Sequence, residues 1–597
     1  MGLHFIFGAA GTGKTRRCCE EIRDYVTGKK GRSAFFLVPD QETYTAERML
    51  ADIFPGHGFI DATVCGFSRL AYRVFNELRS PVQDALSPLG QQIIISRILA
   101  EHRDELQMLM KISSQPHFAE NLMNLFHQLD MFCISETALH DVSLAEEGTP
   151  LGRKLADLSL LYKNYHDYLH TRFSYEGSLF DLLAGEIPKS EILRRSRIWI
   201  DGFNGMTPQK IRIVSALIHT AEEVTFTLPL PDAKEGLSNE IFARPANLYA
   251  LLSEEEPHFD SITLPEMKRF RCPRLRCLAA DYFQNVPSPC PLPKETSPVP
   301  EKGIHIVSAP DSQAEADFIS RRILSLVRDK NLRWRDILVL LRSADTYTDP
   351  LERSFSRYGI PVFTDEKQPM NNHPLVMLLD GLLHFIKAES RGKNRGFTRE
   401  HIFRILKTEI FPSFPTDMID KLENYVLKYH IRFSTWQKPW AFRDYRSIDQ
   451  EPAPLSDKEI TKQNTANTWR EKVLSLLNPF LAGWKGSPAA EDKCAFLYRW
   501  LTEQQIPETL SVWDELEFEK TKKRPHLQVW KKVLSLLDEI VHVTGKDILP
   551  EEELCGILAD GLSALTFSMI PPTLDHVTVT SIDRGYAAEA KVVFIPG

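Results

Sequence analysis

Cysteine is scarce in this sequence, and the cysteines present form no recognisable framework. The 597 residues contain nine cysteines, an odd number. Disulfide frameworks and zinc sites use even sets or C-x-x-C pairs close to histidines, and neither arrangement occurs. The pattern indicates the reduced thiols of a cytoplasmic protein. The cysteines are Cys18, Cys19, Cys65, Cys133, Cys272, Cys277, Cys290, Cys494 and Cys555.

Long apolar runs are also missing. No stretch reaches the roughly 18 consecutive apolar residues that indicate a membrane-spanning helix. The chain enters an apolar strand at Leu3 without the basic region, apolar stretch and cleavage site of a signal peptide. We therefore expect no signal peptide and no membrane partner.

An excess of positive charge is the third absence. The chain has 72 Lys and Arg residues against 80 Asp and Glu residues, a net charge of −8. A uniformly basic nucleic-acid-binding surface is therefore excluded, and any nucleic-acid track must be local. The composition, 43% hydrophobic and 25% charged, is that of a soluble globular protein, and the length predicts three to five folded units.

One glycine-rich motif lies near the start of the chain. Residues 3–15, LHFIFGAAGTGKT, contain G-x-x-x-x-G-K-[ST] between an apolar strand and a helical stretch. Its glycines allow backbone N–H groups to surround a triphosphate at a helix N-terminus. We expect Lys14 to reach the β- and γ-phosphates and the Thr15 hydroxyl to ligate Mg²⁺. The predicted ATP-binding residues are Gly8, Ala9, Ala10, Gly11, Thr12, Gly13, Lys14 and Thr15.

Two further residues are candidates for catalysis. Asp201 ends the apolar stretch RIWID, where an acid of a phosphate-loop protein can hold Mg²⁺; the alternative is that it only caps a turn. The next residue is Gly202, although a hydrolysing motor normally carries a carboxylate there to orient the attacking water. Without this carboxylate, ATP hydrolysis is expected to be slower by a factor of about 10²–10⁴ unless another group orients the water. Arg342 follows the stretch DILVLL and is either an arginine finger or a solvated strand-end residue.

The order of elements predicts a duplicated plan. Strands at Ser33–Pro39, 59–65, 197–201 and 224–228 surround a helical stretch, which indicates one parallel-sheet domain with a helical insertion. A proline-rich linker at 286–300 follows. Strands are then expected at Gly303–Ser308, 336–341 and 360–363, a mainly helical region from His373, and final strands at 577–581 and 592–595. Two such halves are typical of a two-lobed nucleic-acid motor.

Several local features can contact DNA. The basic clusters are Arg194–Arg197, Lys268–Arg276, Arg391–Arg395 and Lys520–Arg524. Such runs usually form solvated faces, although phosphate contacts require cations placed in this way. Gln41 lies in a polar loop at a strand end, and Phe67 and Ser68 open a helix. We predict contacts to nucleic acid for these three residues, with core packing as the alternative for Phe67.

Six further stretches, together with the phosphate loop, resemble one known family. In order, they are LVPDQETYTAE, VCGFSRLAYRVFNE, IWIDGFNGMTPQ, DILVLLR, YGIPVFTDEK followed by NNHPL, and VTVTSIDRGYAAEAKVVFIPG. They resemble the AddB subunits of bacterial AddAB helicase–nucleases over essentially the whole chain.

The resemblance implies an α/β fold of two RecA-like parallel-sheet lobes, as in UvrD-like helicases. Residues 1–290 are expected to form the first lobe, with a helical insertion at about 85–177, and residues 291–597 the second, with an insertion at about 395–570. It also implies a heterodimer with an AddA-like subunit, action on DNA ends and single-stranded DNA during break repair, and ATP with Mg²⁺ as cofactors.

The sequence departs from active relatives at several places. No adenine-reading Gln segment precedes Gly8, Gly202 replaces the catalytic Glu, and Asp583 lies where active motors carry a Thr-x-His type motif. Complete family members continue into a nuclease part with a four-cysteine iron–sulfur cluster, and its ligands are absent here. We expect a truncated chain that is a weak ATPase without nuclease activity.

Two other functions stay open from the residues alone. One is a stand-alone phosphate-loop ATPase or kinase that does not act on nucleic acid, although such a kinase would not need a second α/β lobe. The other is an inert scaffold that binds neither ATP nor DNA. Nucleotide and DNA binding distinguish the three.

Overall fold

The computed structural model describes most of the chain, and all structural statements refer to that part. The described residues are 2–28, 33–54, 56, 58–80, 86–113, 115, 118–172, 176–231, 240–270, 272–281, 303–364, 369–442, 456–521, 524–567, 575–582 and 590–597. The predicted linker at 286–300 and Asp583 lie outside these ranges.

A six-stranded, all-parallel sheet forms the first α/β unit. Its strands are β1 (Leu3–Phe7), β2 (Ser33–Leu37), β3 (Ala62–Cys65), β4 (Ser196–Ile200), β5 (Glu223–Leu228) and β6 (Phe259–Thr263), in the spatial order β3-β2-β4-β5-β1-β6. Successive side chains of a strand point to opposite faces. Phe35 therefore belongs to the core on one face and Phe36 to the core on the other. Burial on both faces explains why these strands are apolar runs.

Helices cover both faces of this sheet and also form a separate block. The helices of the first half are α1 (Lys14–Gly28), α2 (Thr43–Ile53), α3 (Phe67–Leu78), α4 (Pro88–Glu101), α5 (Phe118–Met131), α6 (Glu136–Ala145), α7 (Pro150–Arg172), α8 (Glu176–Glu186), α9 (Glu191–Arg194), α10 (Pro208–Thr220), α11 (Ala243–Glu255) and α12 (Pro273–Asp281). Helix α8 packs on α3 and α10 and so returns to the sheet. The chain from α4 to α7 forms the first helical block.

A second, smaller parallel sheet follows. Its strands are β7 (Ile337–Leu341), β8 (Val362–Thr364), β9 (Val577–Ser581) and β10 (Val592–Phe594), in the order β10-β7-β9-β8. Helices α13 (Ser312–Asp329) and α14 (Ala344–Tyr358) enclose its core around Phe355. The predicted α/β class with two parallel sheets is confirmed.

The prediction of a strand at Gly303–Ser308 is wrong. These residues have no strand assignment, and Ile306 is 97% exposed. An apolar stretch forms a strand only where a neighbour supplies backbone partners and a surface to bury against. The sheet continues through β10 next to β7 instead.

The second helical block lies between β8 and β9. It consists of α15 (Pro374–Ser390), α16 (Arg399–Leu406), α17 (Thr416–Lys428), α18 (Asp457–Lys485), α19 (Ala490–Glu503), α20 (Ile506–Thr521), α21 (Pro525–Thr544) and α22 (Glu551–Ser563). It shares one continuous hydrophobic core with the first block. Helix α4 packs on α21 and α22, and Arg97 forms an ion pair with Asp547. The two insertions are therefore one packed helical body.

None of the helices within the described ranges combines the length and apolar character needed to cross a membrane.

Candidate nucleotide-binding site

The phosphate loop lies at the carboxyl edge of the first sheet. It leaves β1 after Phe7 and leads directly into α1 at Lys14. Strand β4, which carries Asp201 at its end, is separated from β1 by β5. Two strand spacings amount to about 10 Å, which leaves room for a phosphate group and a cation between the strand ends. A crevice at the carboxyl ends of parallel strands is where such sheets bind ligands.

The glycines of the loop hold a backbone that other residues would not adopt. Gly11 has φ = 92° and Gly13 has φ = 93°, values that strain any residue with a side chain. At Gly8 a Cβ atom would overlap the Thr12 hydroxyl and lie 3.2 Å from the Leu264 carbonyl oxygen. Thr12 is buried and donates to the Ala9 carbonyl at 3.0 Å. The fold therefore requires the glycines at these positions.

Lys14 folds back onto the loop. Its Nζ donates to the carbonyl oxygens of Gly8 at 2.8 Å and Ala9 at 3.1 Å. Burial lowers the pKa of Lys14, Asp201 opposes that shift, and Arg269 adds to it. The side chain thus lies within the loop, held by two backbone acceptors that a phosphate oxygen can replace.

Asp201 is buried at the carboxyl end of β4, the same edge of the sheet as the phosphate loop. It is 4% exposed, and its Oδ1 accepts a hydrogen bond from the hydroxyl of Thr227 on β5. Within the described part of the chain, its other carboxylate oxygen has no hydrogen-bond partner. The Thr15 hydroxyl likewise has none there. Both groups are therefore available as the hard oxygen ligands that Mg²⁺ takes.

Glu42 is the residue that sequence reasoning missed at this edge. Gly202 has φ = 83°, and a Cβ at that position would lie 2.7 Å from Oε2 of Glu42. Glu42 is half-buried in the short turn that follows β2, and burial, with a contribution from Asp201, raises its pKa to about 7. A carboxylate from a neighbouring strand end therefore occupies the space above Gly202. Nothing local to residues 201–205 signals this.

A second feature that the sequence did not predict covers the phosphate loop. The chain after β6 crosses it, and the backbone N–H groups of Lys268 and Arg269 both donate to the Gly11 carbonyl oxygen at 2.9 Å. The Cβ atom of Arg269 lies 3.0 Å from where a Cβ of Gly11 would be. Part of the basic cluster Lys268–Arg276 thus lies beside the phosphate site. We call residues 267–270 the strap.

Arg342 lies in the second sheet unit. It is exposed at the carboxyl end of β7. Among the described residues it has no hydrogen-bond or ion-pair partner. Its role as an arginine finger stays a prediction.

The three residues predicted to contact DNA lie at the carboxyl ends of β2 and β3. Gln41 is exposed in the turn before α2, and Ser68 is partly exposed in the first turn of α3. Phe67 is 3% exposed and packs against Phe203 with ring centroids 5.5 Å apart. Packing in the core accounts for Phe67 in this structure, and the three nucleic-acid contacts stay predictions.

The phosphate loop and the side chains of Lys14, Thr15 and Asp201 suit a nucleoside triphosphate with Mg²⁺. The loop places backbone N–H groups at a helix N-terminus, and Lys14, Thr15 and Asp201 belong to the same edge of the sheet. Bound ATP would be held by residues 8–15, and Mg²⁺ by Thr15 and Asp201. Across the described ranges, no three His, Cys, Asp or Glu side chains are grouped so that they could hold a metal ion by themselves.

A family comparison covers this site. Residues 5–278 match the family model described as "ADDB, N-terminal". The matched segment includes the phosphate loop, Glu42, Asp201 and the strap.

Individual relatives match along the whole chain. Proteins named as the B subunits of ATP-dependent helicase/deoxyribonucleases are 33% identical over 616 residues in Pelotomaculum thermopropionicum, 33% over 621 in Heliobacterium modesticaldum and 32% over 630 in Geobacillus kaustophilus. The alignments cover 100% of this chain and 52%, 50% and 52% of those relatives. The chain therefore spans about half the length of the curated relatives it matches.

Proposed function

Because this chain belongs to the AddB family, we propose that it is the ATP-binding and DNA-binding AddB component of a helicase–nuclease that processes DNA breaks for recombinational repair. The observation that carries the proposal is the phosphate loop at the carboxyl edge of the first sheet, with Lys14 inside it and Asp201 across from it. The proposal assigns nuclease chemistry to none of the described residues.

Mg-ATP is the proposed ligand of the loop. Residues 8–15 hold the phosphates, Lys14 moves from the loop carbonyls to the β- and γ-phosphates, and Thr15 and Asp201 bind Mg²⁺. The two loop glycines with positive φ support this assignment because they free the backbone N–H groups for an anion.

Weak turnover is the second part of the proposal. Residue 202 is a glycine, so the carboxylate that orients water in active motors is missing from its usual position. Arg342 has no hydrogen bond or ion pair with the loop among the described residues, and Asp583 lies outside them. We propose a degenerate motor that binds nucleotide well and hydrolyses it slowly when alone.

A partner protein and DNA complete the proposal. The relatives are named as one subunit of a larger enzyme, which supports assembly with a further chain, and we propose that this chain is AddA-like. We propose that Gln41 and Ser68 contact DNA at the carboxyl edge of the first sheet, and that Phe67, buried against Phe203, contributes by holding the start of α3. The second sheet unit with its helical block favours this function over a stand-alone kinase.

The first experiment measures binding of a fluorescent ATP analogue with Mg²⁺. We expect Lys14→Ala to weaken binding by at least about tenfold, since it removes the only lysine of the loop. Arg16→Ala is the matched control, because Arg16 is exposed on the same helix and pairs with Glu20. Equal affinities of wild type and Lys14→Ala would exclude the nucleotide site.

The second experiment separates the repair function from a kinase. A forked oligonucleotide is titrated at several salt concentrations, and binding that weakens steadily with salt is expected. Absence of binding at low salt would contradict the DNA-binding part, whereas rapid unwinding without a partner would contradict the degenerate motor.

A further inference from the structure

A basic pocket opens in the second helical block, far along the chain from the phosphate loop. It has a volume of about 500 Å³ and is lined by Ala388, Arg391, Lys393, Arg395, His401 and Phe433. The cations come from the loop between α15 and α16, and Phe433 follows α17. We call it the loop pocket.

The cations of the loop pocket are unpaired. Arg391, Lys393 and Arg395 are exposed and form no ion pair with any described residue. On the adjacent helix α16, by contrast, Arg399 lies 3.4 Å from Glu423, and just beyond it Lys407 pairs with the same carboxylate. In a chain of net charge −8, three neighbouring cations without acidic partners form a local anion-binding surface.

The backbone of this loop is fixed rather than loose. The buried carboxylate of Glu389 accepts the Gly396 N–H at 2.8 Å. Lys393 and Asn394 both have positive φ, 62° and 55°, so the loop turns back tightly. A Cβ at Gly396 would lie 2.7 Å from the Phe385 ring. The fold thus holds the three cations around one opening.

Phe433 adds an aromatic surface to the rim. Its side chain is 37% exposed, and its N–H donates to the Phe397 carbonyl at 2.7 Å, which ties it to the end of the basic loop. The Arg432 guanidinium lies 5.6 Å from the Phe433 ring centroid and adds a fourth cation. Cations beside an exposed aromatic ring are the combination that binds the backbone and bases of single strands.

We propose that the loop pocket binds the phosphodiester backbone of single-stranded nucleic acid, with Arg391, Lys393 and Arg395 on the phosphates and an unpaired base against Phe433. This site deepens the proposed DNA-binding function and rests on it. A single strand is favoured over a duplex because paired bases cannot reach a ring on the rim of a concave pocket.

The test measures binding of a fluorescently labelled oligo-dT by anisotropy at several salt concentrations, with the full chain. Lys393→Ala/Arg395→Ala is expected to lower affinity by about tenfold and to reduce the slope of log K against log salt by about 1.4, as two lost phosphate contacts predict for single strands. Arg399→Ala/Lys407→Ala is the matched control, since it removes the same charges from positions paired with Glu423. Phe433→Leu is expected to weaken binding without changing the slope.

The outcomes are distinguishable. If wild type binds no oligonucleotide, the proposed DNA-binding function fails, and the pocket assignment fails with it. If wild type binds and the double variant matches the control, only the loop pocket is excluded. Equal losses for a duplex with no effect of Phe433→Leu would overturn the single-strand assignment. Pocket-dependent binding of dAMP as tight as that of oligo-dT would reassign the pocket to free nucleotides and overturn the proposal.

An independent observation concerns water activation at the phosphate loop. The Glu42 carboxylate lies over Gly202, 2.7 Å from where a side chain at that position would begin. Its carboxylate has no hydrogen bond or ion pair with any described residue. It enters from the end of β2, next to β4 in the sheet, and therefore reaches the same edge as Asp201.

We infer that Glu42 partly substitutes for the missing carboxylate of position 202 and orients the attacking water in the slow hydrolysis of ATP proposed above. The water oxygen forms a bond to the γ-phosphorus, and the bond from that phosphorus to the β–γ bridging oxygen breaks. Both water protons leave on the product, so ATP⁴⁻ and H₂O give ADP³⁻ and H₂PO₄⁻. Glu42 accepts a hydrogen bond from the water throughout. This inference rests on the proposed ATP site.

The test compares ATP turnover with nucleotide affinity. Glu42→Ala is expected to lower kcat by at least about tenfold, within the range for such groups, while the affinity for the fluorescent ATP analogue stays within about twofold of wild type. Glu42→Gln keeps one acceptor oxygen, and its kcat is expected to lie between those of wild type and Glu42→Ala. Glu47→Ala is the control, because Glu47 lies on α2 and pairs with Arg69 at 3.8 Å.

Turnover that is unchanged in Glu42→Ala, or absent from wild type that binds nucleotide, would overturn the role of Glu42 and leave the ATP site standing. If wild type binds no nucleotide, the proposed function itself is excluded. A loss of affinity equal to the loss of kcat in Glu42→Ala would show a structural role and exclude the catalytic one.

Discussion

At the scale of single residues, the phosphate loop depends on a glycine whose position cannot accommodate a side chain. Gly11 has φ = 92°. Its carbonyl oxygen also accepts hydrogen bonds from two backbone N–H groups of the strap. A side chain there would be strained by the backbone and would meet Arg269 at 3.0 Å. The position therefore couples the loop to the chain that covers it.

We expect Gly11→Ala to weaken nucleotide binding by at least about tenfold, since backbone strain of about 1–3 kcal/mol is released by moving the loop. The measurement is titration with the fluorescent ATP analogue. Gly205→Ala is the control, because its nearest neighbour would be an Arg244 carbon at an ordinary 3.7 Å. Unaltered affinity in Gly11→Ala would mean that the loop does not hold the phosphates.

The pair Asp201 and Glu42 shows how far residue-level reasoning reaches. Asp201 is predictable because it ends an apolar strand, a pattern visible within five residues. Glu42 lies in a polar loop 159 positions earlier, and its place over Gly202 depends on β2 and β4 being neighbours. The missing carboxylate could be read from the sequence, but its substitute could not.

At the scale of elements, helix α22 contains two glycines with opposite surroundings. A Cβ at Gly556 would meet no atom within 4 Å, whereas a Cβ at Gly561 would lie 2.5 Å from a methyl carbon of Leu536 on α21. Glycine inside a helix costs stability, so its retention at Gly561 reflects the close approach of two helices.

We expect Gly556→Ala to raise the free energy of unfolding of the helical body by about 0.5–1 kcal/mol. Gly561→Ala is expected to lower it by about 1–3 kcal/mol, because the core would be overpacked. Denaturant unfolding followed by circular dichroism measures both. The same sign for the two variants would contradict the packing of α22 against α21.

Helix α15 begins at a buried histidine that makes the helical body sensitive to acid. His373 Nδ1 accepts the Leu375 N–H at 3.1 Å, and its Nε2 lies 2.9 Å from Nδ1 of His526. Burial, with a smaller contribution from His526, lowers the pKa of His373 to about 4, opposed by Asp514. Both ring nitrogens are thus engaged in the neutral form.

The unfolded chain takes up a proton on this histidine near pH 6.5, whereas the folded chain resists protonation down to about pH 4. Stability is therefore expected to fall as the pH falls from 6.5 towards 4, by about 1–3 kcal/mol in total. Thermal midpoints between pH 7 and pH 5 measure the loss. His373→Asn keeps a capping side chain without the titration, and its midpoint should fall less; an identical fall would exclude His373 as the cause.

At the scale of the whole molecule, the two helical insertions act as one body. Helices of the first block and of the second share one core cluster, and Ile94 of α4 is fully buried within it. The Gly90 N–H also donates to the Glu539 side chain at 3.2 Å. The segments 86–172 and 374–563 are therefore expected to unfold together, although strands of both sheets lie between them in sequence.

We expect Ile94→Ala to accelerate amide hydrogen exchange in α21 as well as in α4, because a cavity in a shared core lowers the stability of both. Hydrogen exchange with mass spectrometry measures it peptide by peptide. Phe355→Ala, in the separate core of the second sheet, is the control and should leave α4 and α21 unchanged. Acceleration confined to α4 would mean that the blocks are independent.

The sequence by itself determined the local elements and the chemistry of the phosphate loop. Apolar runs predict buried parallel strands, helical spacing predicts helices, and G-x-x-x-x-G-K-[ST] predicts an anion site, because each pattern is complete within about 15 residues. The prediction of a strand at Gly303–Ser308 was wrong because a strand also needs a neighbouring strand, which no local pattern indicates.

Only the tertiary structure decided which distant parts meet. It placed the strap over Gly11, Glu42 over Gly202, three unpaired cations around the loop pocket, and the two helical insertions in one core. These contacts join residues tens to hundreds of positions apart, and they follow from strand order and helix packing. Periodicity fixes which face of an element is buried, but it carries no information about the surface that buries it.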